Sequence, residues 1–239
     1  MTGMRKVPQN GATFDAYIAV PQGPGPYPAV VLTHHRTGLD EFTRDRADRL
    51  AAAGYLTLAP DMFHRSANSD DHDAKGKALT DAGILADIKA AVSYLEALPE
   101  ADGDRLAILG YCMGARMAFM GAATVPAFKA AVICYCGGMF TAKGDGPTAF
   151  ERIKDIRCPV VGFFGREDTN PSPAQVAEID AELSSHGIWH EFHIYDGAGH
   201  AFQAYERPER YNEAAANHSW NRAFTFLAEH LGMKTGAGI

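Results

Sequence analysis

Residues 106–120 read Leu-Ala-Ile-Leu-Gly-Tyr-Cys-Met-Gly-Ala-Arg-Met-Ala-Phe-Met, and no other stretch restricts the possible folds so strongly. A short apolar run, read as a buried strand, gives way to a small-residue helical pattern. Only Gly110-Tyr-Cys112-Met-Gly114 separates the two. A strand that enters a helix within so few residues must turn sharply. Glycines two before and two after the central residue suit that turn, because side chains there would collide with neighbouring backbone. The turn lifts Cys112 out of the sheet and sets it at a helix N-terminus, where N–H groups and the helix dipole favour negative charge. Serine is the commoner residue at this centre. Here it is a thiol, either a nucleophile or a structural buried cysteine.

The rest of the chain alternates in the same way. Strands are predicted over 13–20, 27–33, 55–60, 105–109, 130–136, 158–165 and 189–195. Helices are predicted over 42–53, 79–98, 115–123, 172–185 and 210–231. The run 27–33, Tyr-Pro-Ala-Val-Val-Leu-Thr, is almost wholly apolar, as in a parallel strand buried on both faces. Strands alternating with helices imply an α/β fold, a mostly parallel central sheet with helices on both faces. One domain spanning 1–239 is expected, with 1–12 and 232–239 as loose termini. The polar, irregular stretch 61–77 is a long connection, either a cover over an active site or a solvated surface loop.

The hydrophobic content of 46% over 239 residues supports one sizeable core. The net charge of -7, with no basic stripe, argues against a nucleic-acid partner. The N-terminus lacks an apolar signal region and no segment approaches a membrane span, so neither a membrane nor export is expected. None of the four cysteines shows CxxC or zinc-finger spacing, so no metal site is expected and reduced thiols in a cytoplasm are the simplest reading. Cys134 and Cys136 lie two apart in a predicted strand and should share one face. With Cys158 they read as core packing.

A cysteine nucleophile needs a base, and the base needs an orienting carboxylate. In a parallel sheet the loops at strand C-terminal ends gather in one place. Three such loops carry this chemistry in order: Cys112, then Gly165-Arg-Glu-Asp168-Thr-Asn-Pro171, then Gly197-Ala-Gly-His200-Ala-Phe202. Nucleophile, acid, histidine is the chain order of α/β-hydrolases. Glu167 competes with Asp168 for the carboxylate role. The remaining histidines, such as His186, His190, His193, His218 and His230, lie in or beside predicted helices and strands.

These three stretches, with Gly54-Tyr and Ala59-Pro-Asp61-Met-Phe, resemble the dienelactone hydrolase family, a branch of the α/β-hydrolase fold. The resemblance runs from about residue 16 to 231. It implies Cys112 as nucleophile, His200 as base and Asp168 as orienting acid. It also implies hydrolysis of an enol lactone or related ester through a thioester, with no metal or cofactor. The backbone N–H groups of Met113 and Arg36 are the expected oxyanion donors. The sequence departs from the family in two places. His35 stands where members of the chlorocatechol type carry a glutamate linked to proton movement at the thiol. Gln203-Ala-Tyr205 stands where they carry an arginine that holds the substrate carboxylate. Arg36 or Arg65 could replace that contact, and His35 could manage the proton. Tyr135 and Phe202 complete the candidates for the pocket wall. Competing readings are an esterase or thioesterase on other substrates, a non-catalytic binding protein of the same fold, and a redox-sensing thiol protein. A monomer or small homo-oligomer acting on a small molecule is expected.

Overall fold

The computed structural model describes residues 1–66 and 68–233. Eight strands form one sheet: β1 (Gly3–Gln9), β2 (Ala12–Ala19), β3 (Tyr27–Thr33), β4 (Leu56–Pro60), β5 (Ala101–Tyr111), β6 (Phe128–Cys134), β7 (Val160–Gly165) and β8 (His190–Tyr195). Their spatial order is β1-β2-β4-β3-β5-β6-β7-β8. The first three in that order pair antiparallel and the rest are parallel. This is the architecture of the α/β-hydrolase fold.

Among the described residues the helices are α1 (Glu41–Ala52), α2 (His72–Ala78), α3 (Asp81–Glu96), α4 (Met113–Thr124), α5 (Pro173–Ser185) and α6 (Glu213–Leu231), and all but α2, which buries none of its residues, pack on the sheet. The strands distribute their side chains by alternation. Leu106 and Ile108 of β5 enter a core shared with α3, α4 and α5, whereas Ala107, Leu109 and Tyr111 enter a core shared with α1 and α6. Each fully buried leucine or isoleucine contributes about 1.5–3 kcal/mol relative to exposure, so the two cores lock the sheet from both sides. Helix starts are set by side chains that accept backbone N–H groups. Asp40 caps α1, Thr80 caps α3, Ser172 and Gln175 form a capping box on α5, and Asn212 caps α6.

Three expectations need correction. Residues 3–9 are not loose but form β1, paired antiparallel with β2. Val7 is the one fully buried residue of this edge strand, so its apolar signal is faint. At the other end Gly232 is the left-handed cap of α6, φ 65°, and 234–239 lie outside the described residues. Cys134 and Cys136 do not share a face. The strand ends at Cys134, Tyr135 takes φ 42°, and Cys136 turns into the opposite core. Segment 61–77 also carries more order than its composition implies, with a 3-10 turn over His64–Ser66 and helix α2.

Candidate active site

The strand-to-helix turn forms as its glycines require. Cys112 adopts φ 55° and ψ -120° between β5 and α4. A Cβ on Gly110 would lie 2.2 Å from the Gly114 carbonyl oxygen, and one on Gly114 would lie 2.1 Å from the Thr33 oxygen. Thr33 locks this crossing by donating its hydroxyl to Gly114 O at 2.7 Å. The Cys112 N–H donates to Cys134 O at 3.0 Å, tying the turn to β6. A non-glycine residue at such a backbone angle costs on the order of 1–3 kcal/mol, sustained here by the surrounding packing.

Three loops meet above this turn. The Arg166 N–H donates to Tyr195 O at 2.9 Å and the Glu167 N–H to Ala198 O at 3.0 Å, which joins the loops after β7 and β8. His200 Nε2 lies 3.0 Å from Cys112 Sγ, and His200 Nδ1 lies 2.8 Å from Asp168 Oδ2. Asp168 is buried, and its other oxygen accepts the Asn170 N–H at 2.8 Å. Glu167 is exposed, so Asp168 is the carboxylate that the histidine meets. Burial works against a charged His200, yet its hydrogen bonds to Asp168 and Cys112 prevail and push its pKa up to about 10. The buried carboxylate therefore favours the protonated imidazole beside the Cys112 sulfur. Burial pushes the thiols of Cys134, Cys136 and Cys158 upward, which keeps them neutral.

The backbone N–H groups of Met113 and Arg36 donate to no protein acceptor among the described residues. Met113 begins α4 and Arg36 lies in the loop after β3. That loop is pinned by His34, which is fully buried. Its Nε2 accepts the Met62 N–H at 3.0 Å, so its Nδ1–H donates to His35 O at 2.8 Å. Burial lowers the pKa of His34 and keeps this imidazole neutral.

Cys112 and His200 open on a cavity of about 400 Å³. Its far wall is α2 with His72, Asp73, Gly76 and Lys77, and its side wall is the loop after β6, from Gly137 to Lys143. Arg116 of α4 holds that loop. It donates to Gly138 O at 2.9 Å and Thr141 O at 2.8 Å, while its two terminal nitrogens grip the buried Asp81 at 2.7 and 2.9 Å. Asn170 ties the same loop to β7 by accepting the Gly138 N–H at 3.1 Å. Lys143 Nζ donates to Gly76 O at 2.7 Å, and Arg36 pairs with Asp73. Among the described residues no group of three or more His, Cys, Asp or Glu side chains is placed to hold a metal ion.

Four candidates for the pocket wall do not line this cavity. Arg65 is drawn away by the buried carboxylate of Asp87, which accepts both its terminal nitrogens at 2.6 and 2.7 Å. His35 is held 2.8 Å from Asp40 and stacks on Phe42 at 4.5 Å. Tyr135 and Phe202 are fully buried. Tyr135 packs edge-on against His200, with centroids 5.3 Å apart, and so supports that imidazole from behind. Arg36 does line the cavity.

The family model for dienelactone hydrolases matches residues 14–231. This chain belongs to the dienelactone hydrolase family. It is 32% identical to a Salmonella typhimurium protein named "Putative carboxymethylenebutenolidase", over 97% of this chain and 88% of the relative. It is 31% identical to a Bradyrhizobium protein named "Probable 2-oxo-3-(5-oxofuran-2-ylidene)propanoate lactonase", over 93% and 92%. The crystal structure of a Klebsiella pneumoniae "Putative Dienelactone Hydrolase" superposes with a TM-score of 0.89 at 30% identity, covering 96% of this chain and 98% of that one. For this member of the family, sequence reasoning missed Arg116, Lys143, Asn170 and Lys77 as parts of the site. The paired glycines 137–138 were the available signal that one further strand-end loop, the one after β6, bends toward Cys112, whereas Asn170 sits in the Asp168 loop itself.

Proposed function

We propose that this protein hydrolyses lactone or ester bonds of small carboxylate-bearing molecules, with Cys112 as nucleophile, His200 as acid and base, and Asp168 as the orienting carboxylate. The carrying observation is the hydrogen-bonded line Cys112–His200–Asp168, at 3.0 and 2.8 Å, opening on the cavity. The Cys112 thiolate attacks the carbonyl carbon, and the carbonyl electrons move to oxygen. The Met113 and Arg36 N–H groups receive that oxyanion, each such donor being worth on the order of 3 kcal/mol. The C–O bond to the leaving oxygen then breaks, His200 gives that oxygen its proton, and a thioester remains on Cys112. In a lactone the leaving oxygen stays within the same molecule. Water then attacks the thioester, His200 takes its proton, and the C–S bond breaks to release the acid.

Charge around the cavity supports a carboxylate on the substrate. Arg36, Lys77 and Lys143 face it with Asp73 as the opposing carboxylate, Arg116 being matched by Asp81. These cations take over from the family arginine. At that place in this chain Gln203 instead turns inward, its amide donating to Ser219 at 2.7 Å. A thiol nucleophile works only while reduced, which suits a cytoplasmic enzyme; no helix among the described residues is long and apolar enough to cross a membrane. The test is the rate of dienelactone hydrolysis by wild type and by Cys112→Ala, beside a small uncharged aryl ester. Fast dienelactone turnover that Cys112→Ala abolishes is expected. Turnover of the aryl ester alone would remove the carboxylate from the reading, and turnover unchanged in Cys112→Ala would remove the nucleophile.

A further inference from the structure

The two edges of the sheet are built differently. At one edge β1 carries Arg5, Lys6 and Pro8. Exposed cations and a residue without an N–H discourage an edge strand from pairing with another chain. At the other edge β8, His190-Glu-Phe-His-Ile-Tyr195, contains no lysine, arginine, proline or glycine. Its side chains are fastened to the flanking helices. His190 lies 3.1 Å from Asp180 of α5, and Glu191 accepts Arg222 of α6 at 2.7 and 2.8 Å. Its backbone is paired on one side only. Trp189 O and Tyr195 O accept N–H groups of Val160 and Arg166, toward β7. By strand alternation the N–H and C=O groups of His190, Phe192 and Ile194 point the other way, off the edge of the sheet.

We propose that β8 pairs antiparallel with β8 of a second copy of this chain, about a two-fold axis at Phe192, so that two sheets become one. Such an axis stands perpendicular to the sheet and keeps each side chain on its own face, which leaves axes at Phe192 or at His193 near the strand centre. An axis at His193 sets two imidazoles against each other and Glu191 against a tyrosine. Within one chain His193 Nε2 already lies 2.6 Å from Glu191, and an axis at Phe192 sets that pair against its own copy in reverse, Glu191 opposite the partner's His193 twice by symmetry, and Phe192 opposite the partner's Phe192. It also lays Trp189 beside the partner's Tyr195. Trp189 is 50% exposed, one of four large apolar side chains exposed among the described residues, and is stacked on Phe226 with centroids 5.9 Å apart. Opposite-charge and aromatic cross-strand pairs are what stabilise antiparallel neighbours, so the edge is complementary to itself in charge, in aromatic surface and in backbone.

Sedimentation velocity over a dilution series tests this on the full chain. Wild type is expected at twice the mass of one chain when concentrated, dissociating on dilution. His190→Pro removes an outward N–H and no bond to β7. His193→Glu places carboxylate against carboxylate across the axis as well as beside Glu191 of its own chain, so His193→Gln, which keeps a donor for Glu191, is run beside it and is expected to stay paired. His190→Pro and His193→Glu are each expected to run as a single chain where wild type is paired, with unchanged far-ultraviolet circular dichroism. Trp189→Ser should raise the dissociation constant at least about tenfold. If His190→Pro misfolds, His193→Glu and Trp189→Ser decide. A wild type that stays single at every concentration, or a pair that survives His193→Glu and Trp189→Ser, overturns the proposal.

Discussion

Of the four thiols only Cys112 is both partly open and beside an imidazole. Cys134, Cys136 and Cys158 are buried, and Cys112 alone is partly open to the cavity, 3.0 Å from His200. In the folded protein iodoacetamide is therefore expected to label Cys112 alone, read by peptide mass, and His200→Gln should slow that labelling. Turnover of His200→Gln should fall about 10²–10⁴-fold with the fold retained. The pKa of His200, near 10, sets a pH dependence. Above its ordinary value of about 6.5 the unfolded chain has released this proton while the folded chain still holds it. Its contribution to stability is thus full below about 6.5 and is lost as pH rises through about 10. Asp168→Asn removes one of the two bonds that raise this value, so it should move the His200 titration, read by NMR, to lower pH. Substitution of Lys143 or Arg36 by glutamine should raise KM for an anionic lactone about tenfold and leave that for a neutral aryl ester within about twofold.

At the scale of elements, the Arg116–Asp81 pair joins α4, the start of α3 and the loop after β6. Both groups are buried. Asp81→Asn leaves a guanidinium without its counter-charge, which costs on the order of 3–5 kcal/mol. Urea denaturation should report that loss, and the cavity wall it holds should loosen enough to raise KM. The predicted elements carried the central strands and the sharp turn at Cys112 because continuous apolar runs and a fixed glycine frame are local signals. The order of the three strand-end loops carried Cys112, Asp168 and His200. What escaped depends on long-range contacts. Arg65 reads as a pocket cation until Asp87 from another helix captures it. Arg116 reads as an ordinary helical residue until Asp81, 35 positions away, meets it. The face of Cys136 follows from a positive φ at Tyr135, a residue that gives no local sign of it.

Across the whole molecule, burial is steeply uneven. The central strands β3, β5 and β6 lie between two cores, whereas α2 buries none of its residues. Regions with few buried apolar contacts open first. Amide hydrogen exchange should therefore be fastest in α2 and slowest in β5 and β6, by several orders of magnitude. The helix is held over the cavity by the Lys143–Gly76 bond and the exposed Arg36–Asp73 pair, and surface pairs of that kind contribute at most about 1 kcal/mol. This has a consequence for how such an enzyme can change over generations. Mutations in α2 redraw the wall of the cavity yet leave the cores, the turn at Cys112 and His200 untouched. A combinatorial library confined to His72–Ala78 should therefore yield altered substrate preference while most of its members still fold.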